Sequence, residues 1–132
     1  MAYNALLKFN GGKDHKVLEV NYNVARKADP SGRVASDPSD ATVKVTIEAT
    51  ESSDILESML NAKFKPCKGS IIFNKSNEEG KLIELSWEEG YVTRHEVNFD
   101  AVNEYSMRVS FIVNAETIKY GNSEYDGKWP TA

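Results

Sequence analysis

Cysteine and histidine are scarce in this chain: one cysteine, Cys67, and two histidines, His15 and His95. A lone cysteine forms no internal disulfide, which fits a reducing compartment. Three such side chains are also too few for a dedicated thiolate or imidazole metal site, so neither a metal nor a cofactor is expected. No apolar run approaches the length of a membrane-spanning helix, so membrane insertion is not expected. The opening residues, MAYNALLKFNGG, carry neither a basic leader nor a long apolar core. The expectation is a protein made and folded in the cytoplasm, which leaves the cell, if at all, by a route other than signal-peptide export. Basic residues number 16 against 20 acidic ones, for a net charge of -4, and the two signs are interspersed. Without a concentrated basic patch, nucleic acid is not an expected partner.

Signatures of catalysis are missing as well. The three Gly-Lys pairs, at Gly12, Gly80 and Gly127, have Leu7, Lys75 and Asn122 where a phosphate-binding loop needs glycine. There is no Gly-x-Ser-x-Gly nucleophile elbow and no His-Glu-x-x-His pair. His95 shares a strand face with Tyr91, Val97 and Phe99 by alternation, and reads as a histidine at the edge of a core rather than a general base. His15, beside a turn, reads as solvated. Cys67 between Pro66 and Lys68 reads as a spare loop cysteine rather than a reactive thiol. Glu78-Glu79 and Glu88-Glu89 precede glycines and read as turn residues. The chain is not expected to be an enzyme.

What is present is a pattern of strands. At 132 residues, 40% of them hydrophobic, the chain suits one domain spanning residues 1–132. Two-residue alternation marks strands over Tyr3 to Phe9, His15 to Arg26, Thr42 to Ala49, Ser70 to Asn74, Lys81 to Glu88, Tyr91 to Phe99 and Glu104 to about Lys119. Glycine, asparagine and acidic clusters punctuate them as turns, among them Glu88-Glu89-Gly90. SSDILESMLNAKF breaks the alternation. Ser53 or Asp54 can cap a helix there, Asp54 and Glu57 have capping-box spacing, and Ile55, Leu56, Met59 and Leu60 form a helical stripe. The predicted fold is mainly β: a small antiparallel barrel of two curled sheets, about seven or eight strands, with one short α-helix and a long loop between the second and third strands.

That loop, about Lys27 to Asp40, lacks a large apolar anchor and mixes Arg26, Lys27 and Arg33 with Asp29, Asp37 and Asp40. Fully extended it spans at most ~46 Å, half of that out and back, against a radius of gyration of about 14 Å for a domain of this size. It can reach past its own body, either to remain mobile or to dock in a polar interface. A second polar surface comes from strand faces: Lys44, Thr46 and Glu48, then Arg94 and Glu96, then Arg108 and Ser110. Such a face suits either free surface or a wetted channel wall.

Tyr22, Arg26, Asp29, Gly32, Arg33 and Ser36 form the pattern Y-x-x-x-R-x-x-D-x-x-G-R-x-x-S. This resembles a divergent branch of the type VI secretion tube proteins, the haemolysin-coregulated protein (TssD) family. VTIEATESSDILESML, from Val45 to Leu60, is similar to that branch's strand running into an Asp-led helix, and IKYGNSEYDGKWP, from Ile118 to Pro130, to its ending. Two positions depart from the branch: Val34 stands where proline is expected and Ser58 where an aromatic is expected. The resemblance implies hexameric rings stacked into a hollow tube, enclosed by a contractile sheath, capped by a spike protein and carrying effectors in its lumen, with no catalysis. It also implies an export route without a signal peptide. By that analogy Arg26, Asp29, Gly32, Arg33 and Ser36 contact an adjacent copy. The alternatives are a monomeric barrel binding a small molecule or sugar, and a subunit of a phage-like tail tube.

Overall fold

A computed structural model describes residues 3–12, 14–26, 28–33, 39–50, 53–61, 66–75, 81–102 and 106–127. Among these residues seven strands and one helix follow one another as β1 (Tyr3–Phe9), β2 (Asp14–Ala25), β3 (Ser39–Glu48), α1 (Asp54–Asn61), β4 (Cys67–Lys75), β5 (Lys81–Phe99), β6 (Met107–Tyr120) and β7 (Ser123–Asp126). All paired strands are antiparallel, in the order β3-β2-β1-β4-β5-β6-β7. A further pairing, Thr42↔Asn114 through Glu48↔Arg108, joins β3 to β6 and closes six strands into a barrel. β7 lies outside the ring of six, on the distal half of β6, where Thr117↔Asp126 through Tyr120↔Ser123 pair. Closure matters because an open sheet this size would expose unpaired strand edges to other chains.

The alternation in each strand decides what goes inside. Ala5, Leu7 and Phe9 of β1 are buried, as are Ala41, Val43, Val45 and Ile47 of β3, while the residues between Val43 and Ile47, Lys44 and Thr46, point outward. The β1–β2 reversal uses Asn10 (φ 53°) and Gly11 (φ 74°), with Gly12 N–H donating to the Phe9 carbonyl at 2.9 Å. Two successive left-handed residues give the twist that tight hairpins need. Trp87, Phe9 and Phe111 are the largest side chains in the core, and Phe9 and Phe111 meet edge-to-face at 6.3 Å. The Trp87 indole packs against two glycines, Gly69 and Gly90, where a Cβ at either position would collide with its ring.

Helix α1 covers one end of the barrel. Ser53 begins it: the Glu57 amide donates to the Ser53 carbonyl at 2.8 Å and the Ser53 hydroxyl donates to the Glu57 carboxylate at 2.6 Å. Glu57 is thus partnered by Ser53 rather than by Asp54, whose carboxylate accepts from the Ile55 amide. Of the apolar stripe, Ile55 is buried and Met59 packs on the core, but Leu60 is exposed. Burying Ile55 stabilises the docked helix by about 1.5–3 kcal/mol.

Four sequence readings need correction. Glu88-Glu89-Gly90 is not a turn between two strands; β5 runs unbroken from Lys81 to Phe99, with Glu89 at φ 54° inside a bulge opposite Lys68. The bulge brings Gly90, which has no side chain to collide, over Trp87. His15 is not solvated but 2% exposed, because α1 folds back over it. Cys67 opens β4 and is buried rather than spare in a loop. Tyr91 does not share the face of His95, Val97 and Phe99. Val92 pairs with Val113 and Arg94 with Ile112, so Thr93 bulges and reverses the alternation after it.

Candidate functional surfaces

The bulge at Thr93 assembles the polar surface. Its hydroxyl donates to Asn114 Oδ1 at 2.8 Å, holding the extra residue against β6. Beyond it, Arg94, Glu96 and Asn98 of β5 face outward beside Ile112, Ser110 and Arg108 of β6, which in turn oppose Lys44, Thr46 and Glu48 of β3. The six face residues expected from sequence, Lys44, Thr46, Glu48, Arg94, Glu96 and Arg108, thus form one contiguous surface in three cross-strand rows. β2 extends two of the rows with Asn21 opposite Lys44 and Glu19 opposite Thr46.

Charge on this surface is ordered. One row is cationic, with Lys44 and Arg94 on either side of Ile112; the next is anionic, with Glu19 and Glu96 flanking Thr46 and Ser110; the third pairs Glu48 with Arg108 across strands. Thr46 Oγ1 and Ser110 Oγ share a hydrogen bond at 3.0 Å, and Asn98 donates to Glu96 at 3.2 Å. A notch of about 200 Å³ opens between the first two rows, lined by Lys44, Arg94, Glu96, Ser110, Phe111 and Ile112. Arg108 Nε is buried and has no hydrogen-bond partner among the described residues.

Only part of the loop after β2 lies within the described residues; Ser36, Val34 and Asp37 lie outside them. From residue 28 to 33 Asp29 organises the backbone. Its Oδ1 accepts from the Ser31 amide (3.0 Å), the Ser31 hydroxyl (2.8 Å) and the Arg33 amide (2.9 Å). The Asp29 amide donates to the Arg33 carbonyl at 2.7 Å, closing a knot in which Gly32 adopts φ 90°. The Ser31 hydroxyl, followed by the Arg33 amide, holds the Asp29 carboxyl below its ordinary value. Asp29 therefore shapes the loop, whereas Arg26 and Arg33 are exposed and have no ion-pair partner among the described residues.

Two features escaped sequence reasoning. Val97, Phe99, Val102 and Met107 are exposed apolar residues at the end of the β5–β6 hairpin. The hairpin extends past the last β3–β6 pair, Glu48↔Arg108, so Phe99 projects beyond the barrel wall and Met107, which borders the space under α1, stays half exposed. The second is a cavity of about 140 Å³ under α1 that includes His15, Asp54, Ile55, His95, Val97 and Val109. Asp54 Oδ2 stands 3.7 Å from His15 Nε2. Burial pulls the His95 imidazole below its usual value and pushes the Cys67 thiol above its own, the latter offset in part by polar contacts with Trp87 and Ser58. No group of three potential metal ligands occurs among the described residues.

The sequence profile of the family described as hemolysin coregulated protein Hcp (TssD) matches residues 1–130. The chain belongs to that family. It is thereby a structural subunit of the type VI secretion tube, in a family whose members form rings and carry effectors. Among solved structures, Hcp1 from Flavobacterium johnsoniae is similar at 32% identity and a TM-score of 0.86, over 93% of this chain and 98% of that one. Two further structures share the fold. Hcp1 from Salmonella typhimurium has 14% identity, a TM-score of 0.74 and 96% of both chains covered. Hcp3 from Pseudomonas aeruginosa has 12% identity and a TM-score of 0.65, over 98% of this chain and 100% of that one. No curated protein sequence matches the chain significantly.

Proposed function

We propose that residues 1–132 act as one Hcp domain, six copies of which close into a ring with the Lys44–Glu48, Arg94–Glu96 and Arg108 surface lining the lumen. What carries this reading is the family profile across residues 1–130 together with a barrel whose polar rows are continuous over four strands. Water-filled walls need such a face, and the opposite face of the same strands is spent on the core. The segment holding Arg26, Asp29, Gly32 and Arg33, with Ser36 beyond it, contacts a neighbouring copy. In that role Asp29 and Gly32 set the loop's shape while the two arginines supply charge-assisted contacts. The apolar hairpin end, Val97, Phe99, Val102 and Met107, supplies a second contact between copies, since a patch of this kind on one protomer is more often an interface than free surface.

Rings stack head-to-tail when the same contact repeats along an axis. Assembly in the cytoplasm, enclosure by a sheath, capping by a spike protein and export without a signal peptide complete the proposed cycle. The tube does no catalysis in it. A ligand carried deep within the barrel needs a hollow interior, and Trp87, Phe9, Phe111, Leu7, Ile71 and Leu85 are packed in the core instead.

Sedimentation with negative-stain microscopy tests the reading. Annular particles several times the subunit mass are expected, and Arg26→Ala with Arg33→Ala should reduce stacking while leaving the protomer folded. A protein that stays near 15 kDa at high concentration, with the wild-type loop, would refute ring formation. Unchanged stacking in the arginine variant would remove the loop from the interface.

A further inference from the structure

The outward notch between β3, β6 and β5 is chemically uneven, and the unevenness points to a ligand. Its two cations, Lys44 and Arg94, sit on strands either side of β6, about 10 Å apart by strand spacing, with the Ile112 side chain between them. Neither has an ion-pair partner among the described residues. The Ser110 hydroxyl and Glu96 border the same notch, and Glu96 is occupied by Asn98. One row further along, roughly 7 Å away by the two-residue repeat of a strand, the charge turns negative at Glu19 and Glu96.

We infer that this notch binds acidic side chains of a protein cargo, each carboxylate bridged between Lys44 and Arg94 with its methylene stem on Ile112. The inference deepens the lumen reading above and rests on it for the cargo's access, but the binding chemistry belongs to each protomer. A cation pair divided by an apolar residue suits a carboxylate on a hydrocarbon stem, because the ligand gains charge neutralisation and sheds apolar surface together. It suits nucleic acid poorly. An extended phosphate backbone crossing the cation row must also cross the glutamate row within a Debye length, about 8 Å at physiological salt. A peptide avoids this by placing a neutral or basic residue there. Ring closure would repeat the notch on every copy, so weak single contacts would hold a folded cargo through several attachments at once and release it when the ring opens.

The experiment uses the assembled protein and a fluorescent Glu-rich peptide, read by anisotropy, with a single-stranded oligonucleotide of equal charge as the competing probe. Sedimentation is run on every sample. Peptide binding that weakens with added salt is expected, and Lys44→Glu combined with Arg94→Glu should lower affinity about tenfold or more. Lys8→Glu, on the outer side of β1, should leave it unchanged. Glu96→Gln should strengthen peptide binding and admit the oligonucleotide. Peptide binding indifferent to the Lys44 and Arg94 reversals, or an oligonucleotide that binds the wild-type protein as well as the peptide does, overturns the proposal. Loss of rings in the wild-type protein with charge-dependent peptide binding intact would instead refute the lumen reading and leave the notch chemistry standing.

Discussion

Placing a methyl group on Gly69 tests the packing that shapes the whole barrel. The Cβ of Gly69→Ala would fall on Cζ2 of Trp87, 2.8 Å from Cη2 and 2.9 Å from Cε2, against a comfortable carbon separation of about 3.5–4.0 Å. Trp87 is 1% exposed and the Gly90 backbone also packs close to it, since a Cβ there would lie 2.7 Å from Cδ1, so the indole has little room to shift. Overpacking of a closed core costs about 1–3 kcal/mol, of which a Gly-to-Ala gain in the unfolded state returns roughly 0.4–1 kcal/mol. The two closest colliding atoms, Cζ2 and Cη2, belong to the outer benzo part of the indole, for which phenylalanine has no counterpart, so Trp87→Phe relieves most of the overlap. Gly69→Ala should therefore be destabilising in the wild-type background and near neutral, or stabilising, in Trp87→Phe, an interaction energy on the order of 1–2 kcal/mol. Urea unfolding followed by far-ultraviolet circular dichroism measures it, at one fixed protein concentration because assembly raises apparent stability. Equal penalties in the two backgrounds would mean that the indole does not fill the space over Gly69.

Asp29→Ala should release the loop without unfolding the barrel, seen as faster hydrogen exchange at the Ser31 and Arg33 amides, whose acceptor is lost. Since hydrogen bonds lower the Asp29 pKa from its usual 3.8, the protection it confers is present above that value and should fade as pH falls through the still lower folded one. His95 has its pKa lowered from 6.5 by burial, so the unfolded chain takes up the proton first; stability should fall as pH drops below about 6.5, and His95→Leu should flatten that part of the stability-against-pH curve. Cys67 should react with a thiol reagent at neutral pH only as fast as the protein opens, because the thiol is 2% exposed with its pKa raised; prompt reaction in the native state would place it at the surface.

Strand content, the single helix and the polar face were legible in the chain because each is written in a local period. Thr42 to Glu48 alternates without interruption and was readable residue by residue, and Lys44, Thr46 and Glu48 do stand on one face. The resemblance of Tyr22 to Ser36, Val45 to Leu60 and Ile118 to Pro130 named the right family. The misreadings fall where a single residue interrupts the period. Glu89 and Thr93 each add one residue to β5, and the pattern on either side reads well in both registers. β7 is four residues long, too short for any period, and it exists only because β6 offers an edge there. The burial of His15 depends on α1, which lies far along the chain and docks over it.

Amino-acid order alone therefore determined most of the extended segments, which segment is helical, and that one face of the sheet is polar, since these follow from periodicity and side-chain polarity over a few neighbours. Tertiary structure decided that β3 meets β6 to close the barrel, that the Thr93 bulge turns Arg94 and Glu96 to the same side as Lys44, and that Lys44 and Arg94 flank one notch. Those outcomes depend on register between segments distant in sequence, where a shift of one residue exchanges the two faces of a strand at little cost to any local pattern.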